Sequence, residues 1–289
     1  SPHEGTAFRL GDYFSGLLKR PARSIGPKKI LFYGNCQSMV TATALSIMNP
    51  DIDIRYAGNS QRVAKHDPER SARLMDWCDV VISQPIMNLG NAEHHEALTE
   101  KLGDKLIFMP YIYFDGFFSL FYLPRRTARS TTGVIGEESV IEELQRVGFR
   151  KTVESFAAGQ LDFKHAERLA FNFEEEERRE QICQIKLAPY VRENYRTTQV
   201  MMTHNHPMPD TVNECARQVA QVLSLKYSPI KPENYQDYSR ITLGLGWSFI
   251  TPFTQTELQL DYPYDLQWLT KGRKMIEKVA NALDISTDS

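Results

Sequence analysis

Cysteine is scarce in this chain. Cys36, Cys78, Cys183 and Cys215 are the only four among 289 residues, and they stand far apart. No Cys-x-x-Cys occurs, which argues against a structural zinc site, and so few thiols in so long a chain do not make a disulfide framework. They read as reduced thiols of a cytoplasmic protein. A basic surplus is missing as well: 34 Lys and Arg face 36 Asp and Glu, for a formal net charge of −2. A dedicated nucleic-acid binder needs excess cation to displace phosphate counterions, so no nucleic-acid partner is expected. Long apolar runs are absent too. The longest, Tyr111 to Pro124, is interrupted by Asp115, Gly116 and Ser119, and it is shorter than the about 20 residues that span a bilayer. No basic stretch followed by an apolar core opens the chain, so neither a signal peptide nor a membrane span is expected. There is no Gly-Lys-Ser/Thr phosphate loop, and Leu243-Gly244-Leu245-Gly246-Trp247 lacks the third glycine of a dinucleotide fingerprint.

What is present is a regular alternation. Lys29 to Gly34 is a short apolar run ending in glycine, a buried-strand signal. Gln37 to Met48 reads as a helix stopped by Asn49-Pro50, and Ile52 to Ala57 as a second strand. Pro68 to Trp77 is a helix, Cys78 to Ser83 a strand, Asn91 to Leu102 a helix closed by Gly103, and Lys105 to Met109 a fourth strand. Strands alternating with helices imply parallel strands joined by right-handed crossovers. Beyond Pro110 the pattern changes. Seven aromatics crowd Tyr111 to Tyr122, followed by Arg125, Arg126 and Arg129. The segment reads as a hydrophobic plug with solvated arginines at its rim; the alternative is aromatics that stack a purine and arginines that hold phosphates. Gly136 to Gly148 is helical. Leu161 to about Tyr195 is a long charged helical stretch with a break at Pro189. Thr198 to Thr203 returns to a strand, Asp210 to Leu225 is a helix capped by Asp or Thr, Ile241 to Ile250 is extended, and Asp265 to Leu283 is a terminal helix.

The expected fold is therefore α/β. An open, mostly parallel, doubly wound sheet of flavodoxin-like type carries a large helical insertion, and the whole is helix-rich; the SGNH variant of this core is implied only by a resemblance at Gly34-Asn35-Cys36. A single domain, 1–289, is expected, with the core in 28–110 and 198–225, a mainly helical insertion in 111–197, and a helical or extended region in 226–289.

In an open parallel sheet, ligands bind beyond the carboxyl ends of the strands. Four such ends carry polar groups: Asn35-Cys36-Gln37, Ser83-Gln84, Pro110-Tyr111 and His204-Asn205-His206. Cys36 lies between a glycine turn and a helix start, where free amides and the helix dipole would favour a thiolate. His204 and His206 share one face if their segment is extended, and one of them is the candidate base. Asn35, Gln37 and Gln84 could donate to an oxyanion. His94-His95 reads as a surface-helix pair, and no third ligand accompanies His204 and His206 at a signature spacing, so no metal site is expected.

Lys29 to Gln37 (KILFYGNCQ), Ile82-Ser83-Gln84-Pro85, Pro110 to Phe114 and Asn205-His206-Pro207 resemble, in order and spacing, the WcbI-type capsular polysaccharide biosynthesis proteins. The resemblance implies coenzyme A or acetyl-CoA as the ligand and an acetyl transfer to a sugar hydroxyl. It puts Cys36, Gln37 and His206 near the thioester, and it carries over no list of coenzyme A contacts. From their places at the strand ends, His204 is the second candidate imidazole and Asn35, Gln84, Tyr111 and Asn205 are further candidate ligand contacts, with Arg125, Arg126 or Arg129 as the candidate phosphate contact. The Gly34-Asn35 start is also similar to SGNH hydrolases with Cys36 in the nucleophile's place. That family has Asp three residues before its histidine, whereas this chain has Met201 and Thr203 there. A glycan esterase with a Cys nucleophile and a non-catalytic coenzyme A-binding module are the alternatives.

Overall fold

The computed structural model describes residues 26–123, 130–230 and 248–288. They divide into two compact units. The first takes its residues from Ser1–Ile112, Glu176–Val191 and His206–Thr242, and the second from Tyr113–Glu175, Arg192–Asn205 and Leu243–Ser289.

The first unit is built on four parallel strands, β1 (Lys29–Gly34), β2 (Asp53–Asn59), β3 (Val80–Ser83) and β4 (Leu106–Phe108), in the order β2-β1-β3-β4. Ile30, Leu31, Phe32 and Tyr33 of β1 are fully buried. This is why β1 reads as a continuous apolar run rather than an alternating one: a central parallel strand is covered on both faces. Phe32 lies opposite Tyr56 on one side and Ile82 on the other. Helix α1 (Cys36–Met48) follows β1. Its small residues Ala42, Thr43 and Ala44 are buried together with Val40 and Leu45, so it is enclosed on most sides. Helices α2 (Ser60–His66), α3 (Pro68–Trp77) and α4 (His95–Leu102) complete the first half. The strand order reverses between β1 and β3, and that switch point is where open α/β sheets take ligands.

Helix α4 begins four residues later than the sequence suggests. Asn88 and Asn91 hold local turns instead, accepting from Gly90 N at 3.0 Å and from Glu93 N at 2.9 Å. Short amide side chains compete with helix hydrogen bonds in this way. His94 is therefore the residue before the helix and His95 its first.

The second unit contains a two-stranded antiparallel ribbon, β5 (Phe121–Tyr122) with β6 (Val134–Ile135), and helices α5 (Glu137–Val147) and α6 (Phe149–Ala157). Leu120, Val140, Leu144, Phe156, Phe249, Met275 and Val279 form its core. Phe114, Phe117, Phe118 and Phe121 are buried, so the aromatic strip is core material. Arg125, Arg126 and Arg129 lie outside the described residues, as does Gly244-Leu245-Gly246.

The charged stretch resolves into α7 (His165–Arg179) and α8 (Ala188–Asn194). The break falls at 180–187 and not at Pro189, which sits in the first turn of α8, where a missing N–H costs nothing. The Glu180 carboxylate caps that turn, accepting from Leu187 N at 2.5 Å and Ala188 N at 2.9 Å. Strand β7 (Met201–Thr203) and strand β8 (His206–Pro207) follow, and neither joins the four-stranded sheet. The expected fifth sheet strand is thus a separate short element. Helix α9 (Pro209–Val222) packs on α1 and starts after Met208, not after Asp or Thr, with proline in its first turn. Helices α10 (Pro252–Leu258) and α11 (Trp268–Ala282) end the chain. Of the expected extended segment 241–250, only 248–250 is described, and it is not a strand.

Candidate functional site

Strand β1 ends at Gly34, where a side chain has no room. A Cβ at this position would stand 2.5 Å from Gln84 Oε1 and 2.8 Å from Ser38 Cβ. Asn35 follows in an extended conformation as the N-cap of α1, its side chain accepting from Gln37 N at 2.9 Å. The Asn35 N–H donates to Gln84 Oε1 at 2.7 Å. The Gln84 amide nitrogen reaches Pro110 O and Gln37 Oε1, both at 3.3 Å. Gln37 donates to Ile112 O at 2.7 Å and accepts from Ile112 N at 2.9 Å. Two buried carboxamides therefore lace together the ends of β1, β3 and β4. They hold the turn that presents Cys36, and they are engaged with protein groups rather than aimed at a ligand.

Cys36 is the first residue of α1 and is half-buried. Its Sγ lies 3.5 Å from His206 Nε2, across 170 positions of sequence. Burial pushes the thiol pKa up; hydrogen bonds from the Cys36 and Gln37 amides pull it down but do not prevail. The helix start therefore does not by itself yield the thiolate expected from the sequence. Burial lowers the His206 pKa, so its imidazole is neutral near pH 7. A neutral thiol facing a neutral imidazole can exchange one proton on demand.

Tyr56 is a neighbour that the sequence pattern did not single out. Its hydroxyl donates to Gly34 O at 3.2 Å. Its pKa is pushed up to about 12, chiefly by burial and then by the proximity of Cys36. The available signal was that β2 runs to the same sheet edge as β1.

His204 is placed differently. Residues 204 and 205 form a turn, so the same-face rule for an extended segment does not apply to the two histidines. The His204 ring stacks on Phe121, 4.5 Å between centroids and 14° between planes, and leans on Tyr113 at 5.3 Å, all within the second unit. Asn205 accepts from the Thr203 hydroxyl at 3.1 Å. Tyr111 is half-buried in the segment that Gln37 holds through Ile112. The remaining cysteines are buried, and burial pushes Cys183 and Cys215 up to about 12, which suits inert core thiols.

The profile of the family described as "Polysaccharide biosynthesis enzyme WcbI" matches residues 29–228, which include both Cys36 and His206. The chain belongs to the WcbI family of polysaccharide biosynthesis enzymes. A solved structure of a WcbI protein, described as a novel polysaccharide biosynthesis enzyme in native form without a disulfide bond between coenzyme A and one of its cysteines, is similar in fold. The TM-score is 0.55 at 15% identity, covering 90% of this chain and 96% of that one. A search of curated proteins returns no match. Among the described residues, no helix is long and apolar enough to cross a membrane.

Proposed function

We propose that this WcbI-family enzyme is an O-acetyltransferase of capsular polysaccharide assembly, moving an acetyl group from acetyl-CoA to a sugar hydroxyl. The observation that carries the reading is the 3.5 Å approach of Cys36 Sγ to His206 Nε2 at the sheet's switch point. A half-exposed thiol at an amide-lined helix start, opposite an imidazole, fits a thioester substrate. The WcbI relative described together with coenzyme A and a cysteine points to the same ligand.

His206 Nε2 takes the Cys36 proton as the sulfur attacks the acetyl carbonyl. The C–S bond of the thioester breaks, and His206 returns the proton to the departing thiol. The acetyl group now rests on Cys36. His206 next accepts the proton of the sugar hydroxyl, whose oxygen attacks the acetyl carbon. The Cys36–acetyl bond breaks, and the cysteine sulfur recovers the proton from His206. Free amides at the start of α1 stabilise the oxyanion in both halves. Gln37, Gln84 and Asn35 set the turn, and Tyr56 braces it through Gly34. His204 has no place in these steps. Arg125, Arg126 and Arg129 remain the proposed phosphate contacts.

Calorimetry with coenzyme A under reducing conditions, followed by assay of thiol release from acetyl-CoA in the presence of sugar acceptors, tests the reading. Saturable binding and release that depends on acceptor are expected. Absence of binding would remove the donor assignment. Hydrolysis of acetyl esters without coenzyme A binding would favour the esterase alternative.

A further inference from the structure

The second unit contains a cleft of about 510 Å³ between the start of α5 and the first turns of α7. Its volume is in the range of small-molecule sites. Phe171 lines it and is 51% exposed. Glu138, Asp162, Glu167, Lys164 and Arg168 line the same cleft. Arg168 is fixed in place: its guanidinium donates to Ser119 O and Asp115 O, both at 3.1 Å, and lies 3.9 Å from the buried Asp115 carboxylate. The segment before α7 is fixed too, since Lys164 N donates to Asp162 Oδ1 at 2.8 Å and the Ser139 hydroxyl donates to Asp162 O. The walls are therefore preorganised, while the Glu138 and Glu167 carboxylates and the Lys164 ammonium project from them as exposed groups.

Charge decides what this cleft can take. Two cationic and three anionic side chains line it, a net of −1 (2 − 3), and Arg168 is already offset by Asp115. An anion such as a phosphorylated donor is disfavoured here. Hydrogen-bond donors and acceptors line the cleft together with an aromatic side chain, which suits a neutral ring dense in hydroxyls: C–H groups would lie on the phenyl face while carboxylates accept from the hydroxyls.

We infer that this cleft is a binding site for an uncharged sugar ring. The inference goes beyond the transferase reading, and sugar binding here does not depend on coenzyme A. Phe171 supplies the stacking face, and Glu138 and Glu167 fix the hydroxyls.

Saturation-transfer NMR on the full chain tests it, using methyl hexosides of gluco, galacto and manno configuration and N-acetylglucosamine as probes. At least one probe should receive saturation at its ring C–H protons. Phe171→Ala and Glu167→Gln should each weaken that probe by about tenfold, and Cys36→Ala should leave it unchanged. No transfer to any probe, or transfer undiminished in Phe171→Ala, would overturn the site. Because Phe171 and Glu167 are exposed, unchanged thermal melting is the control for folding. Titration of coenzyme A into the same proteins separates the two proposals: sugar binding without coenzyme A binding keeps the cleft and removes the donor, and the reverse result removes the cleft alone.

Discussion

His206 in the first unit and His165 in the second are both histidines whose pKa values burial drives down, yet they are held in opposite ways. His165 is 1% exposed and both its ring nitrogens are engaged. Nδ1 lies 2.8 Å from Gly116 O, so it carries the proton, and Nε2 accepts from Thr254 Oγ1 at 3.0 Å and Ser119 Oγ at 3.3 Å. Beside it, Asn172 donates to the Asp115 carboxylate at 2.9 Å and accepts from the Asp115 N–H at 2.6 Å. His206 is half-buried, and its Nε2 faces a thiol, a weak partner. A histidine enclosed by hard donors and acceptors is a strut; one that faces a thiol at a half-open edge is the proposed base. Residue type does not separate the two, whereas depth of burial and the group facing Nε2 do.

The widest separation between them should come from substitutions at the thiol edge. Cys36→Ser or His206→Gln is expected to slow acetyl transfer by about a thousandfold or more, with unfolding free energy changed by no more than about 0.5 kcal/mol. Equal loss of stability and activity would erase the distinction. His165→Ala should do the reverse. It leaves buried hydroxyls and a carbonyl unpaired, so chemical denaturation should show a loss of about 3 kcal/mol, while the alkylation rate of Cys36 stays near wild type under folded conditions.

Acid provides a third contrast. The folded His165 pKa is lowered from 6.5 to about 4, first by burial and then by Arg168. The unfolded chain therefore binds this proton before the folded one does. The contribution is complete above about pH 6.5 and is lost as the pH falls toward 4, a change of roughly 3 kcal/mol at most. Urea titrations across that window should show a slope that shrinks in His165→Ala. The smallest effect belongs to the lacing amides. Gln84→Ala removes the acceptor of Asn35 N and is expected to cost about 1–2 kcal/mol of stability and about tenfold in transfer rate. A variant with full activity would show that the turn presenting Cys36 needs no such brace.

Much of the first unit was legible in the sequence because buried parallel strands are written as unbroken apolar runs, and Lys29–Gly34 and Val80–Ser83 have few other readings. The Cys36 half of the thiol–imidazole approach follows from the end of β1 in that sheet, whereas His206 arrives on β8, outside it, so convergent strand ends do not account for the pair. The errors have local causes. Asn88 and Asn91 turned the chain before His95, Pro189 opened a helix instead of closing one, and the turn at 204–205 sent His204 to pack on Phe121. The strand pattern of Met201–Thr203 carried no record of its partner, so it was assigned to the wrong sheet. The helix start at Cys36 pointed toward a thiolate, but burial outweighs its amides. Tyr56 was hidden because an alternating strand reading treats one face as solvent, and from that face the Tyr56 hydroxyl reaches Gly34 O at the end of β1.

The most direct measurement is the intact mass of the protein after brief exposure to acetyl-CoA without acceptor, with peptide mapping of any adduct. A single acetyl group on Cys36, absent in Cys36→Ser and strongly slowed in His206→Gln, is the expected result. An unmodified Cys36 in a protein that still acetylates sugar, or an acetyl group that accumulates on another residue, would contradict the paired thiol and imidazole as the reacting centre.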